Sequence, residues 1–237
     1  MPISQQHVPK PLVVYGAAGH AKVVFDIVQR QGAYRVYSVL DRYKPAGTLC
    51  GGFRVSGTIE DLPQMLRDIP ELEVIVAIGD NWARARISAE ILDHCPDIRF
   101  AIAIHPSAQI ARDVTIGAGT VIMAGAVLNP SARVAEGCIV NTRASLDHDS
   151  TMGAFSSLGP AAAIGGSVRI GAFSSLGIGA TVIQEIMIGD HVVVGAGAVV
   201  VRHIPDHVVA FGVPARVIHP RAAGERYLGD PNAAPRR

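Results

Sequence analysis

Three consecutive residues, Asp147-His148-Asp149, carry the plainest chemical potential in the chain. A histidine beside a carboxylate can act as a general base, because the anion fixes one tautomer and stabilises the imidazolium formed on proton transfer. Two carboxylates are available, and neighbours along a strand point opposite ways, so pairing requires a corner between the partners. The plain alternative is a solvated surface histidine. A second group of candidates follows the first hydrophobic run: Gly16-Ala17-Ala18-Gly19-His20, then Asp41-Arg42, then Gly79-Asp80-Asn81. A glycine turn that ends a strand and opens a helix can turn backbone amides toward a phosphate. It lacks the full dinucleotide fingerprint, and Lys22 does not make it a Walker loop, so close strand–helix packing is the competing reading. Asp41 suits a ribose or sugar hydroxyl as well as a solvated turn.

The elements that must position these residues are of two kinds. From Ile104 to Val200 every sixth residue is aliphatic: Ile104, Ile110, Ile116, Ile122, Leu128, Val134, Val140, Leu146, Met152, Leu158, Ile164, Ile170, Leu176, Val182, Ile188, Val194 and Val200. Glycine often follows the aliphatic residue, and a small residue usually lies two before it. A period of six fits neither a helix nor a simple alternating strand. It predicts a left-handed parallel β-helix of hexapeptide repeats, a triangular prism with three hexads per coil. The aliphatics stack inside, small residues sit beside them, and the glycines are expected at the corners. His148 falls two residues after the interior Leu146, which aims it outward.

Upstream, the pattern predicts alternating strands and helices: strand 11–16, helix 21–31 closed by Gly32, strand 34–40, a loose glycine-containing stretch, helix 59–68, strand 73–78 and helix 81–94. Residues 99–104 deliver the chain to the prism. This is a small Rossmann-like α/β domain whose strand ends converge on one ligand edge. The expected division is 1–103 for this domain, 104–218 for the prism and 219–237 for an unassigned tail rich in Pro, Ala and Arg.

Composition narrows the function. Aromatics make up only 5% against 49% hydrophobic residues, so the core is built from Val, Ile and Ala. A net charge of +1 gives no reason to expect nucleic acid or an anionic membrane as partner. Cys50, Cys95 and Cys138 are odd in number and widely spaced, as suits reduced thiols, with Cys138 at a core position. The leader 1–10 lacks a signal-peptide pattern and no apolar run reaches about 18 residues. A soluble cytoplasmic protein is the expectation. A zinc site of the prismatic carbonic-anhydrase kind needs three convergent histidines. His105, His148 and His191 lie at different hexad offsets on separated coils, so no metal is expected.

The opening V-x-G-A-x-G-H-A-K, the A-I-G-D-N segment, the N-x-x-x-x-x-D-H-D stretch within the hexads and the terminal F-G-V-P-A-R resemble one family over residues 11–218. That family comprises the sialic-acid O-acetyltransferases and nucleotide-4-amino-sugar N-acetyltransferases of bacterial glycan synthesis. The resemblance implies a homotrimer that moves acetyl from acetyl-CoA to the amino group of a nucleotide-linked amino sugar. His148 corresponds to its base and Asp149 to the supporting carboxylate. Ala18, Gly19 and His20 match the loop approaching the nucleotide sugar, with Asp41 and Arg42 at the next strand end. Gly79 and Asn81 belong to the same edge. Gly166 falls where an amide meets the thioester carbonyl, and Ile178 and Ala196 where acetyl-CoA is contacted. Ser157 stands where some members carry a second histidine against acetyl-CoA. Acetylation of a sialic-acid or other sugar hydroxyl, and a non-catalytic hexapeptide scaffold, remain as alternatives.

Overall fold

A computed structural model describes residues 8–228; residues 1–7 of the leader and 229–237 of the tail lie outside the described residues. Strand β1 (Lys10–Tyr15) is buried almost throughout, and α1 (Gly19–Gln31) follows after a three-residue turn. Gly32 closes α1 in the left-handed conformation, its N–H returning to the Val28 carbonyl. Strand β2 (Tyr34–Leu40) pairs parallel to β1. The stretch expected to be loose contains a hairpin, β3 (Leu49–Cys50) and β4 (Phe53–Arg54), turned at Gly51-Gly52. A single 3-10 turn (Ile59–Asp61) leads into α2 (Leu62–Asp68), then come β5 (Glu73–Val76), α3 (Asn81–His94) and β6 (Arg99–Phe100).

The parallel sheet has the order β2-β1-β5-β6. The chain leaves β1 toward one side and returns through β5 on the other, so the switch point lies between the carboxyl ends of β1 and β5. Open α/β sheets bind ligands at such a crevice. The two turns touch there: a side chain on Gly16 (φ 108°) would put its Cβ 3.0 Å from the Ala77 carbonyl.

Seventeen two-residue strands follow, β7 (Ala103–Ile104) to β23 (Val199–Val200), and each as far as β20 (Thr181–Val182) pairs in parallel with the strand 18 residues later. They form the three faces of a left-handed parallel β-helix. Most interior aliphatics are fully buried, but Ile110, in the first coil, is 37% exposed because no coil stacks beneath it.

The structure corrects the expected role of the glycines. The left-handed residue of each corner lies three positions after the interior aliphatic, at Asp113, Gly119, Gly125, Ser131, Gly137, Arg143, Asp149 and onward. The glycine directly after the aliphatic is needed for space. A Cβ on Gly117 would approach the Glu136 nitrogen to 2.3 Å, and one on Gly153 the Ala172 nitrogen to 2.6 Å, both backbone of the next coil.

The two parts share packing. Ala103, Val121 and Ile139 on one prism face join Leu12, Val14, Val24 and Ile27 in a continuous cluster. At the adjoining corner Phe155, Phe173, His191 and His207 stack at centroid spacings of 5.9, 4.7 and 4.8 Å, and Trp82 of α3 leans on Phe173. Strand β24 (Val208–Gly212) extends the same face and turns into β25 (Ala215–Pro220). Beyond it Arg221 donates to the His191 carbonyl, and Tyr227 accepts from the Asn81 N–H, so this part of the tail packs back over the corner.

Candidate active site

Corner geometry resolves the Asp-His-Asp stretch. Asp149 occupies the left-handed position (φ 57°), which turns its side chain back toward His148, and Nδ1 of His148 lies 2.8 Å from Asp149 Oδ2. Asp147 does a different job: its Oδ1 accepts from the His148 N–H (2.8 Å) and from Asn129 Nδ2 (2.7 Å). Those two bonds, the backbone one first, hold the Asp147 carboxyl below its ordinary range. The bond to Asp149, followed by the charge of Asp147, raises His148 above an ordinary histidine. With Nδ1–H directed to Asp149, Nε2 is left as the basic nitrogen. The side chain is 57% exposed, so that nitrogen is open to a substrate. It stands over Gly166, one coil on, where an added Cβ would come within 2.6 Å of Nε2. The Gly166 N–H meets no acceptor among the described residues.

The remaining prism candidates do not join this edge. Ile178, 62% exposed, and Ala196, one coil above it, project from the next corner. Between the two edges lies a face whose outward residues are Gln109 and then Val127, Ser145, Ala163, Thr181 and Val199, all uncharged and, after Gln109, small or β-branched. Ser157 is on another face, 8% exposed, its hydroxyl bonded to Ser175 Oγ at 3.1 Å. One chain therefore carries His148 with Gly166 on one edge and Ile178 with Ala196 on another.

In the N-terminal domain α1 starts at Gly19, and Ala18 provides no side-chain cap, so the first-turn amides are left for an outside acceptor. A Cβ on Gly19 would meet nothing within 4 Å, which means the glycine leaves open space in front of the helix. His20 is tucked behind it. Its Nε2 is buried without a partner among the described residues, and burial, then the charge of Arg84, pushes the imidazole down to about 4. Asp41 is a turn organiser: Oδ2 accepts from the Ala17 N–H, and Oδ1 from those of Tyr43 and Lys44. Arg42 pairs with Glu90 and Lys44 reaches the Ala17 carbonyl.

Asn81 requires correction. It is expected at the ligand edge, but is 1% exposed, with Nδ2 donating to the Ser174 and Phe173 carbonyls and Oδ1 accepting from Arg84. It joins the domain to the prism and has no group left for a ligand. Gly79 stays partly open, with its carbonyl taken by Arg84. Sequence reasoning missed Arg84 altogether, since one arginine in an amphipathic helix gives no signal of burial.

His105 bonds to Ser107, His148 to Asp149, and His191 lies in the aromatic stack, so the three histidines do not converge. No group of three His, Cys, Asp or Glu able to hold a metal occurs among the described residues. No described helix is long and apolar enough to cross a membrane. All three cysteines are buried and unpaired.

Comparison with known proteins places this geometry. The PglD N-terminal domain model matches residues 11–91. A UDP-N-acetylbacillosamine N-acetyltransferase of Bacillus subtilis is 38% identical over 117 residues, a match that spans about half of each chain: 48% of this one and 52% of that one. A histidine-to-alanine variant of GDP-perosamine N-acetyltransferase from Caulobacter crescentus, solved with CoA and GDP-perosamine, superimposes with a TM-score of 0.82. It is 39% identical, covering 88% of this chain and 97% of that one. The chain belongs to the nucleotide-amino-sugar N-acetyltransferase family. The acetyltransferase domain of PglB from Neisseria gonorrhoeae, solved with acetyl coenzyme A, is 34% identical at a TM-score of 0.79, over 89% of this chain and 100% of that one. The family model ends within α3, whereas the structural matches extend through the prism as well.

Proposed function

We propose that the chain transfers acetyl from acetyl-CoA to the amino group of a nucleotide-linked amino sugar, in bacterial surface-glycan synthesis. The observation that carries this reading is the exposed Nε2 of His148, backed at Nδ1 by Asp149 and standing over the free amide of Gly166. The solved relatives with CoA and GDP-perosamine, or with acetyl coenzyme A, support both substrate classes.

In this reading the nucleotide diphosphate lies against the open first turn of α1 at Ala18 and Gly19, beside the turn carrying Gly79. The sugar amine, as its neutral form, attacks the thioester carbonyl carbon. A nitrogen–carbon bond forms, and Nε2 of His148 takes the proton that the attacking nitrogen loses. Asp149 stabilises the resulting imidazolium. The Gly166 amide donates to the developing oxyanion, as preorganised donors do in acyl transfer. The carbon–sulfur bond then breaks, and the imidazolium returns its proton to the CoA thiolate. No step draws on a metal.

The assembly we propose is a homotrimer. The uncharged face between the two edges would turn toward a three-fold axis, bringing the His148 edge of one chain against the Ile178 and Ala196 edge of its neighbour. Acetyl-CoA would occupy that seam, which leaves out Ser157, buried on the adjacent face. We place the enzyme in the cytoplasm, where acetyl-CoA and nucleotide sugars are made.

The test is incubation with acetyl-CoA and a panel of UDP-, GDP- and dTDP-linked amino sugars, following CoA thiol release and the product by mass and NMR. An amide-linked acetyl on one sugar supports the reading. Acetyl on a hydroxyl transfers it to the O-acetylation alternative, and binding of acetyl-CoA with no transfer to any acceptor overturns it.

A further inference from the structure

Arg84 is 1% exposed, yet none of the ion pairs among the described residues includes it. An unpaired guanidinium leaves water only at high cost unless hydrogen bonds replace its hydration. Every donor is engaged. Nε donates to the Gly137 carbonyl (2.6 Å), Nη1 to the carbonyls of Ile78 (3.0 Å) and Gly79 (3.2 Å), and Nη2 to Asn81 Oδ1 (2.7 Å) and the Phe155 carbonyl (3.2 Å).

The acceptors fall into two sets. Gly137 and Phe155 are corner residues on successive coils of the prism. Ile78, Gly79 and Asn81 form the turn after β5, on one side of the switch-point crevice. A planar fork that meets five acceptors from two bodies fixes their distance and orientation together. An apolar side chain could fill the same volume without setting that geometry. The carboxylate of Asp80, on the same turn, is committed to the Ala83 N–H and does not compete for the guanidinium.

We infer that Arg84 is a positioning residue for the acceptor: it holds the turn after β5 at the separation from the prism that brings a bound sugar amine to the acetyl donor. The inference rests on the proposed placement of the nucleotide sugar against that turn. Acyl-donor binding, on prism edges remote from Arg84, is outside its influence. A merely structural bolt would affect melting temperature and treat both substrates alike. A positioning residue separates them.

The experiment compares wild type, Arg84→Lys and Arg84→Ala as full-length proteins, the alanine variant with and without added guanidinium ion. For each, melting temperature, kcat, KM for the nucleotide sugar and equilibrium affinity for acetyl-CoA are measured. Misplacement by about 1 Å can cost up to about 10²-fold. Arg84→Lys, which keeps the charge but loses the fork, is expected to raise the sugar KM by about tenfold or more and lower kcat. Acetyl-CoA affinity should stay within about twofold of wild type on the same grounds. Guanidinium at millimolar concentration should restore part of the loss in Arg84→Ala. Should the alanine variant fail to fold, Arg84→Lys and Asn81→Ser, which removes one acceptor of Arg84 together with the amide's own bonds to the Phe173 and Ser174 carbonyls, give the same comparison. A sugar KM unchanged in a folded Arg84→Lys overturns the inference, as does an equal loss of affinity for both substrates. A wild type inactive on every amino sugar overturns the acceptor reading first, before any variant is made, and the inference with it.

Discussion

Replacing Gly166 with alanine adds a single methyl beneath the imidazole of His148, and the consequence follows from distance. The new Cβ would lie 2.6 Å from Nε2, 2.7 Å from Cε1 and 3.2 Å from Cδ2. Comfortable contacts between such atoms are about 3.5–4.0 Å, so the ring must retreat by about 1 Å. The three atoms nearest the new methyl all belong to that ring. Gly166 is not among the residues with positive φ, and the imidazole is exposed enough to swing. The retreat strains the 2.8 Å bond to Asp149 and lifts Nε2 away from the reacting nitrogen. A displacement of this size is worth up to about 10²-fold, within the 10²–10⁴-fold or so that a general base contributes. We expect kcat to fall by about ten- to a hundredfold, with the melting temperature little changed. The assay is thiol release from acetyl-CoA at saturating concentrations of both substrates, for wild type, Gly166→Ala, His148→Ala and the double variant. Because the methyl acts through the imidazole, it should have almost no further effect once the imidazole is gone. A full additional loss in the His148→Ala background would mean that the methyl disturbs the acyl donor, and the steric reasoning would be wrong.

Three further outcomes are expected. Asp149 is the main cause of the raised His148 pKa, so the acid limb of kcat/KM should lie above the range of an ordinary histidine, about 6.5. Asp149→Asn should move that limb to lower pH, and Asp147→Ala should move it less. Gly153→Ala would drive a Cβ to 2.6 Å from backbone of the next coil; it should lower stability by about 1–3 kcal/mol, as overpacking does, read by urea unfolding. His20 is held neutral down to about 4. The unfolded chain takes up that proton below about 6.5, so stability is lost as pH falls from there toward 4, by about 1.4 kcal/mol per pH unit. His191, lowered by burial and then by the charges of His207 and Arg221, adds in the same direction. His20→Gln should flatten the slope of unfolding free energy against pH; an unchanged slope would place the acid sensitivity elsewhere.

The prism was legible because its interior repeats without a slip, and α3 because Asp80 caps a helix that ends before Pro96. Corner chemistry was half legible. Glycine at 119, 125, 137, 179 and 197 marks the left-handed position of the hexad, and Asp149 takes that position on its own corner, so the pairing with His148 left a trace in the sequence. Phe155, Phe173 and His191 occupy the same hexad position against all local preference, held by their stacking and by Trp82. The glycines after each aliphatic misled because their reason, backbone one coil away, is 18 residues off in sequence. Hairpin β3–β4 was hidden by strands of two residues each. Asn81 and Arg84 were misread or missed for a common reason. Their roles are set by carbonyls of the prism, which no local pattern announces.

Catalysis at a seam between chains can be tested by complementation. His148→Ala and Ile178→Glu disable opposite edges of the prism, and each variant alone should be inactive. Co-expressed with different tags and purified through both, they form mixed trimers in which some seams pair an intact His148 edge with an intact Ile178 edge. Every mixed trimer, 2:1 or 1:2, holds one intact seam of its three, so activity should return to roughly one third of wild type. Mixed trimers that remain as inactive as either parent would contradict the account, because the two edges would then have to serve one site within a single chain.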